Sequence, residues 1–544
     1  MKRVATILVI TLLITSAIAN ERENYDSIEN DNSNVLYVGG AGEGNYTHIQ
    51  AAINAANDGD TIFVYDDSSP YHENIVIDKS ITLIGENKNT VIMGKGEKDV
   101  VYICASNVTI KNFIITGSYM PNTGIYIFNS TGNKIFDCIL ENNGIAIFVE
   151  KSSKNLISRC DVSHGSDGIH IKSSSENRIY DCKIHNNFDG IFIESFDGHS
   201  CNNSIEKCNI YSNDDNGMEL FEAHDTHISN TNISNNRYGL GIYSSINVSV
   251  SDCKFMNDGI RLQGDRLQHF IHKMENVTIN RKPLLYFINQ QGVEIQNDAG
   301  EILLINCSNF LIKNLSIENA DVGIEIVYGE GNKIKNCKIY GNDDCGILVI
   351  NSSYNEIGKC KIKSKYGYGL HAINSFKNSI HDNEFIKNSQ CIQLLYSNNN
   401  SITNNTIDGK YIPQIGMRID MSKRNFIAYN NITGCWDTGM VIASRLSIDK
   451  NIIYRNNFYR NGVHAIWIAD SFANMVVENN FIQHPVTASF ENAWNVWFHN
   501  YWDGWHAPIP KPIYGYIEGF NGTPLFPLIN FDWHPALKPC GGRK

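Results

Sequence analysis

A four-residue pattern, Gly-Ile-x-Ile with close variants, returns along this chain about once every 22 residues. It starts at Gly124, Gly144, Gly168, Gly190, Gly217, Gly239 and Gly259 and, after a step of 64 residues, at Gly323, Gly346, Gly369, Gly416 and Gly439. Each unit contains short alternating apolar and polar stretches, typical of β-strands, separated by turn-forming residues. A fixed period of this length predicts stacked units that bury their apolar sides against one another. We therefore expect an all-β fold, a right-handed parallel β-helix of roughly 17 coils.

The flanking segments predict caps for this solenoid. Thr47 and Gln50 form a capping box, which predicts a helix over 47–57 that covers the open end of the stack. The long step after Gly259 indicates an inserted hairpin or subdomain, and the tryptophan-rich end of the chain is expected to form an aromatic C-terminal cap. The predicted organisation is a signal peptide at 1–19, a flexible lead at 20–34, an N-terminal cap at 35–60, a β-helix at 61–500 with an insertion at 263–301, and a C-terminal cap at 501–544.

Composition and targeting signals limit the partners of the chain. Its formal net charge is −12, which argues against nucleic acid as a partner because nucleic-acid binding needs a basic footprint. The signal segment and the many Asn-x-Ser/Thr sequons predict a secreted or cell-surface glycoprotein. No later segment is apolar for about 20 residues, so no transmembrane span is expected beyond the signal segment.

The cysteines follow the repeat. Cys138, Cys160 and Cys182 are 22 residues apart, each two positions before an apolar residue, and Asn383 and Asn405 hold the same place in later coils. This spacing predicts a ladder of buried, stacked and unbridged thiols. Scattered disulfides and a line of thiolate metal ligands are the alternatives.

Candidate functional residues lie on one outer face. In Gly-Ile-x-Ile both isoleucines face inward, so the x residues face outward, and several of them and their neighbours are titratable. Carboxylates one or two coils apart stand about 5–10 Å apart, the range used in glycoside cleavage, and a histidine can serve as a base. The candidate catalytic residues are Asp167, His170, Glu219, Asp258 and Arg261, and the candidate ligand-binding residues are His170, Glu194, Glu219 and Arg261. The alternative is a face that is polar only because it meets water.

Metal binding has one sequence candidate. His224, Asp225 and His227 fall in a polar segment between coils, where loop geometry allows their side chains to converge. No motif requires a cofactor, and the candidate metal ions are Ca²⁺ and copper.

Several segments carry a family resemblance. The coils, the stretch Asn280-Arg281-Lys282-Pro283-Leu284 and the tail Phe531-Asp532-Trp533-His534-Pro535 resemble exported NosD-type β-helix proteins, especially those of archaeal cell surfaces. The resemblance implies a pectin-lyase-like fold, with a copper-accessory role in some members and unassigned surface roles in others. The start of the chain is similar to that of pectin methylesterases, but no Gln-Asp dipeptide follows, so their catalytic pairing is missing.

Three functions follow as hypotheses. The first is an exported, surface-associated β-helix protein that binds carbohydrate or another extended ligand without catalysis. The second is a polysaccharide lyase, hydrolase or epimerase that acts on the outer face. The third is a copper-accessory protein, as the NosD resemblance implies.

Overall fold

The computed structural model describes residues 34–195, 200–410, 415–518 and 524–541. The predicted signal peptide and residues 20–33 of the predicted lead lie outside these ranges. Within them the chain is a parallel β-solenoid of about 21 turns with one short α-helix, which confirms the predicted fold class. The predicted number of roughly 17 coils was too low, because the coils before Gly124 and those at 263–301 lack the Gly-Ile pattern from which the coils were recognised.

The first solenoid has three sheets, A to C, each built by parallel pairing of corresponding strands in successive coils. Sheet A contains Val35–Val38, Thr61–Val64, Thr82–Gly85, Thr109–Lys111, Lys134–Phe136, Leu156–Ser158, Arg178–Tyr180, Ser204–Glu206, His227–Ser229, Ser249–Ser251 and Lys273–Glu275. Sheet B contains Val91–Gly96, Ile114–Ser118, Ile139–Glu141, Asp161–Ser163, Lys183–His185, Asn209–Tyr211, Asn232–Ser234, Lys254–Met256 and Thr278–Ile279. Sheet C contains Ile75–Ile77, Val101–Ile103, Thr123–Phe128, Ile145–Glu150, Asp167–Lys172, Asp189–Glu194, Asn216–Phe221, Tyr238–Tyr243 and Ile260–Gln263.

The second solenoid has three further sheets, D to F, with the same coil design. Sheet D contains Lys282–Ile288, Glu301–Ile305, Val322–Val327, Cys345–Ile350, Tyr368–Ile373, Gln390–Leu395, Ile415–Asp420, Thr438–Ile448, His464–Phe472, Val486–Glu491 and Lys511–Glu518. Sheet E contains Glu294–Ile295, Leu311–Lys313, Lys333–Lys335, Glu356–Gly358, Ser379–His381, Ser401–Thr403, Phe426–Ala428, Ile452–Tyr454, Met475–Val477, Val496–Phe498 and Pro524–Asp532. Sheet F contains Ser316–Glu318, Lys338–Asn342, Lys361–Ser364, Glu384–Ile386, Thr406–Asp408, Asn431–Thr433, Asn457–Tyr459, Asn480–Ile482 and Tyr501–Trp502.

The helix, Ile49–Ala55, packs against the first strands of sheets A and C and buries Ile49, Ala52 and Ile53. The predicted capping box was wrong: His48 is the N-cap residue and no side chain caps from that position. Instead the Glu73 carboxylate accepts the backbone N–H groups of Ile49 and Gln50 at 2.8 and 3.0 Å. A carboxylate at a helix N-terminus satisfies free amides and complements the helix dipole, so the cap comes from a later coil.

The segment 263–301 joins the two solenoids. It contains the predicted hairpin, since Thr278–Ile279 pairs antiparallel with Lys282–Ile288. The hairpin does not project from an edge, because Lys273–Glu275 continues sheet A, Thr278–Ile279 continues sheet B, and Lys282–Ile288 begins sheet D. The insertion is therefore the point at which one stack ends and another begins, and the coils do not form one uninterrupted rod.

Buried carboxylates hold this joint together. Ile260–Gln263 is the last strand of sheet C, and its free edge presents backbone N–H groups. Glu301 and Glu325 of sheet D accept the N–H groups of Ile260 and Leu262 at 3.0 and 3.4 Å. Asp321, just before sheet D's third strand, accepts those of Gly239 and Gly259 at 2.8 and 2.9 Å. The outward side of the early strands of sheet D is buried as a result, with Leu303, Glu325 and Leu348 at most 4% exposed.

Hydrogen-bonded asparagine ladders run inside both solenoids. In each rung the backbone N–H and the Nδ2 of one Asn donate to Oδ1 of the Asn one coil later, as from Asn405 to Asn430 at 2.9 and 3.0 Å. The longest ladders are Asn332-Asn355-Asn378-Asn400-Asn425-Asn451-Asn474-Asn495 and Asn383-Asn405-Asn430-Asn456-Asn479-Asn500. These bonds satisfy buried polar groups that would otherwise be costly to desolvate.

The thiol ladder is confirmed. Cys138, Cys160 and Cys182 are each at most 2% exposed, and none of the 14 cysteines, all of which lie in the described ranges, is joined to another in a disulfide. Cys360 holds the place at the start of an asparagine ladder and donates its backbone N–H to Asn383 at 2.9 Å. Cysteine and asparagine therefore occupy equivalent inward turn positions.

The tryptophan-rich tail closes the second solenoid with a hairpin. Lys511–Glu518 pairs antiparallel with Pro524–Asp532. Trp502 is buried and stacks on Phe481, with ring centroids 4.5 Å apart. Asp532 accepts hydrogen bonds from Asn500 and from the Trp502 indole, so the hairpin is tied to the last coil.

Replacing a central ladder residue should destabilise the fold. In Asn430→Ala, two donors of Asn405 lose their acceptor in the interior, so we expect the free energy of unfolding to fall by about 3 kcal/mol. Urea denaturation followed by circular dichroism measures this. The control is Asn232→Ala at an exposed position, expected to cost less than about 0.5 kcal/mol; equal effects of the two substitutions would contradict the role of the ladder.

Stability should also fall as pH rises. Burial and neighbouring carboxylates raise the pKa of Asp258 to about 8, and burial raises that of Glu325 to about 8 and of Asp321 to about 7. Unfolded carboxyls titrate near pH 4, so between about pH 4 and 8 the folded chain binds more protons. The free energy of unfolding then decreases with rising pH across that window and levels off above it.

Neutral isosteres test this dependence. The double variant Asp258→Asn with Glu325→Gln should show a shallower decline between pH 5 and 8, since two of the groups no longer ionise. The exposed Asp78→Asn variant serves as the control and should keep the wild-type slope. Chemical denaturation at a series of pH values measures the slopes, and identical slopes in all three proteins would refute the assignment.

Candidate functional site

The candidate site lies on the outer face of sheet C. The inward isoleucines of the Gly-Ile-x-Ile pattern, such as Ile147, Ile169 and Ile191, are fully buried. The intervening residues Tyr126, His170 and Phe192 point outward, and parallel pairing places them in one column with Phe148. The sequence prediction that the x residues form this column is wrong in the coil of Gly144, where Ala146 is buried and Phe148, two residues later, holds the outward place.

An aromatic ladder occupies the first part of this column. We define it as Tyr102, Tyr126, Phe148, His170 and Phe192. Successive ring centroids are 5.4, 5.0, 4.8 and 4.8 Å apart. All except His170 are partly exposed, so their ring edges form a strip on the surface that follows the solenoid axis.

His170 is fixed inside the ladder. It is 9% exposed, its Nδ1 lies 3.0 Å from Asp167 Oδ2, and its Nε2 lies 3.2 Å from Glu194 Oε1. Burial lowers the pKa of His170, but the two carboxylates outweigh burial and leave the pKa raised. The structure therefore brings Asp167, His170 and Glu194 together as predicted, in an arrangement that orients the imidazole between two charges.

Three carboxylates meet at the next coil. Asn216 Nδ2 lies 3.0 Å from Asp189 Oδ1, 3.3 Å from Asp215 Oδ2 and 3.0 Å from Glu219 Oε2. These oxygens consequently lie within about 6 Å of one another, close to the carboxylate separations used in glycoside hydrolysis. We call Asp189, Asp215 and Glu219 the carboxylate trio. Asp189 and Asp215 were noticed in the sequence only as members of a charged column, and Asn216, which gathers them, was not.

Glu219 has the most strongly shifted pKa of the carboxylate trio. Burial, with the charges of Asp189 and Asp215, raises the pKa of Glu219 to about 7, although Arg261 acts in the opposite direction. Burial also raises the pKa of Asp189 and of Asp215. At neutral pH Glu219 can therefore carry a proton beside carboxylates that ionise more easily.

Arg261 lies at the corner where the second solenoid meets sheet C. Its Nε is 3.2 Å from Asp344 Oδ2, and its guanidinium is 5.9 Å from the Tyr243 ring centre. The second solenoid thus supplies a wall to the site, and burial next to Arg261 lowers the pKa of His371 in that wall to about 4. Sequence analysis did not identify Asp344 as a site residue; the available signal was the pair Asp343-Asp344 directly before the buried Cys345.

Asp258 does not belong to the outer face, contrary to the sequence prediction. It is fully buried and accepts the backbone N–H and Nδ2 of Asn236 at 3.0 and 2.7 Å. It holds the last position of the ladder Asn187-Asn213-Asn236. The spacing of Asp258 from those asparagines was the available signal, because a residue in step with inward asparagines is itself inward.

Two clefts lie at the ends of the column. One, of about 640 Å³, is lined at the first end by Asn74, Lys95, Lys98, Asp99 and Tyr102, among others. The other, of about 480 Å³, is lined by Glu219, Phe221, Tyr243, Ser244, Gln263, Gly264 and Asp265. The aromatic ladder connects them, so the face is an extended groove; we call it the sheet C groove.

The predicted metal residues stand apart from this groove. His224 Nδ1 lies 3.2 Å from the Ile246 N–H, Asp225 accepts from Asn247, and His227 is exposed on sheet A. In the part of the chain that the structure describes, no group of three or more His, Cys, Asp or Glu side chains is arranged to hold a metal ion. Over the same residues, no helix has the length and apolar character to cross a membrane.

Family comparison agrees with the fold. A family model described as right-handed beta helix region matches residues 35–200, 99–255, 246–407 and 392–500. The chain therefore belongs to the right-handed β-helix family. It is also 37% identical over 102 residues to a cell surface glycoprotein of Methanothermus fervidus, a match that covers 18% of this chain and 16% of that protein.

Three solved structures are similar to this chain at low identity and over part of its length. Pectin methylesterase PemA from Erwinia chrysanthemi is 13% identical, with a TM-score of 0.33 over 42% of this chain and 90% of that one. Pectate lyase Pel9A is 16% identical, with a TM-score of 0.36 over 54% and 79%. The A-module of mannuronan C-5 epimerase AlgE4 from Azotobacter vinelandii is 14% identical, with a TM-score of 0.32 over 67% and 99%.

Proposed function

We propose that this chain is an exported, surface-associated β-helix protein that binds an extended carbohydrate along the sheet C groove. The observation that carries the proposal is the aromatic ladder, which runs between two clefts on a rigid sheet. Partly exposed rings offer sugars an apolar surface, and the flanking carboxylates and amides offer partners for hydroxyl groups. A rigid site also loses little conformational freedom on binding.

The spacing of the coils favours a polymeric glycan over a single sugar as the ligand. Strands of neighbouring coils lie about 4.8 Å apart, which is close to the length of one pyranose unit in an extended glycan. From Tyr102 to Glu219 the column passes through six successive coils, so a chain can meet a new side chain at each unit. The resemblance to NosD-type surface proteins and the partial match to a cell surface glycoprotein support placement at the cell surface.

Removing ring surface tests the binding proposal. In Tyr126→Ala and Phe148→Leu, affinity for a glycan identified on an array, screened with and without Ca²⁺, should fall roughly fivefold each, since each variant loses about 1 kcal/mol of stacking. Isothermal titration calorimetry measures the affinity. The control Tyr180→Ala removes a partly exposed ring from sheet A and should bind as wild type does. Undiminished affinity in both groove variants would contradict the proposal.

A second candidate function is hydrolysis at the carboxylate trio. The specific observation is a glutamic acid with a pKa of about 7 within about 6 Å of two further carboxylates. Protonated Glu219 would donate its proton to the glycosidic oxygen as the C–O bond breaks. At this separation Asp189 or Asp215 would bond to the anomeric carbon as the C–O bond breaks, and water would then release the sugar from that carboxylate while Glu219 takes the water's proton.

Glu219→Gln tests this chemistry. The variant should lose at least about 100-fold in reducing-sugar release from any glycan that the wild type cleaves, while its affinity for that glycan stays within threefold. In the wild type, activity should decline as pH rises through about 7, because Glu219 then loses its proton. The control Glu206→Gln lies on sheet A. Equal activity of the two variants would exclude Glu219 as the acid.

A further inference from the structure

Carboxylates outnumber cationic side chains in the sheet C groove. From Ile145–Glu150 onward its outer side and wall hold seven carboxylates and three cationic side chains. The carboxylates are Glu150, Asp167, Asp189, Glu194, Asp215, Glu219 and Asp344, and the cations are Lys172, Arg237 and Arg261. The cleft at Tyr102 is balanced, with Lys95 and Lys98 against Glu97 and Asp99. The excess of negative charge therefore builds up along the aromatic ladder towards the corner.

Each cation of the groove already sits beside a carboxylate. Lys172 Nζ lies 3.2 Å from Glu194, Arg237 Nη1 lies 3.3 Å from Asp215, and Arg261 Nε lies 3.2 Å from Asp344. A sugar carboxylate that entered the groove would have to displace one of these pairs, and it would approach the remaining carboxylates unscreened. Like-charge contacts of this kind select strongly against a ligand.

Asp189 and Glu219 have no such cation. Among the described residues, their hydrogen bonds come from amide groups of Asn216, and neither makes an ion pair. Glu219 pairs in register with Phe192, the last ring of the aromatic ladder, and Asp189 lies on the same strand as Phe192. An ammonium group beside Phe192 gains a cation–π contact and charge attraction from Asp189, and its positive charge would lower the pKa of Glu219 and favour ionisation of that carboxyl as well.

We propose that the sheet C groove selects glycans without carboxylates and favours those that carry free amino groups. This inference rests on the proposed carbohydrate binding and adds the substrate class to it. The aromatic ladder supplies stacking that any pyranose chain can use. Asp189 and Glu219 add attraction for a protonated amine, and the net negative groove repels uronic acids.

Three hexasaccharides with the same β-1,4 linkage test the selection. The probes are glucosamine, glucose and mannuronate hexamers at pH 7, where part of the amino groups and part of the Glu219 side chains are charged and the mannuronate carboxylates are fully ionised. We expect the glucosamine hexamer to bind the full-length mature protein at least tenfold more tightly than the mannuronate hexamer, with the glucose hexamer between them. Calorimetry at low and high salt should show this ratio shrinking as salt screens the charges.

Charge-neutral variants separate the selection from the binding. In the double variant Asp189→Asn with Glu219→Gln, the ratio of glucosamine to mannuronate affinities should fall at least threefold, because neither replacement side chain carries charge. The matched control, Glu206→Gln on sheet A, should keep the wild-type ratio. A mannuronate hexamer that binds wild type as tightly as the glucosamine hexamer, or a ratio unchanged in the double variant, overturns the selection alone. Failure of all three hexamers to bind overturns the carbohydrate-binding proposal together with it.

Discussion

The asparagine ladder is the interaction on which the rest of the structure depends. Each rung joins two coils through one amide oxygen that accepts both a backbone N–H and a side-chain Nδ2, as Asn430 does for Asn405. These groups are buried, so a coil that slipped by one residue would leave them unpaired in the interior, at a cost of a few kcal/mol for each rung. The ladders thereby fix the register of the coils that they join. That register in turn brings Tyr126, Phe148 and His170 into one straight outward column.

A plain sheet face would be a poor binding site because it is flat. Here the joint between the solenoids gives it depth, since the second solenoid rises beside Arg261 and contributes Asp344 and His371. The carboxylates that seal the edge of sheet C are also what attach this wall, because Glu301 and Glu325 bind the backbone of Ile260–Gln263. The joint between the two solenoids therefore also forms the end of the candidate site around Arg261. Acidic side chains are buried at this corner. Their burial raises the pKa of Glu219, and Arg261 forms an ion pair with Asp344.

Periodicity in the sequence was sufficient for the fold class, the thiol ladder and most of the inward and outward columns, because each of these repeats at the coil period. In the coil of Gly144 the columns are held by Ile147 and Phe148 instead of Ile145 and Ala146. Periodicity predicted His170, Glu194, Glu219 and Arg261 on the face, where they lie, but misplaced Asp258, which is in step with the inward Asn236. It missed Asp344 and His371 because contacts between solenoids have no period. The helix cap failed for the same reason, since Glu73 reaches Ile49 from a later coil.

The ends of the asparagine ladders have a consequence for how such a chain can change in length. Every asparagine donates towards the next coil, so the final acceptor needs no donor of its own, and Asp258 and Asp532 fill that place for two of the ladders. The ladder that ends at Asn495 lacks an aspartate and leaves its Nδ2 without a hydrogen-bond partner. An aspartate at this place accepts hydrogen bonds without donating any, so a coil duplicated anywhere before it inherits its neighbours' bonds and leaves the terminus unaltered. Gene duplication can then lengthen the surface that meets a ligand without redesigning either boundary.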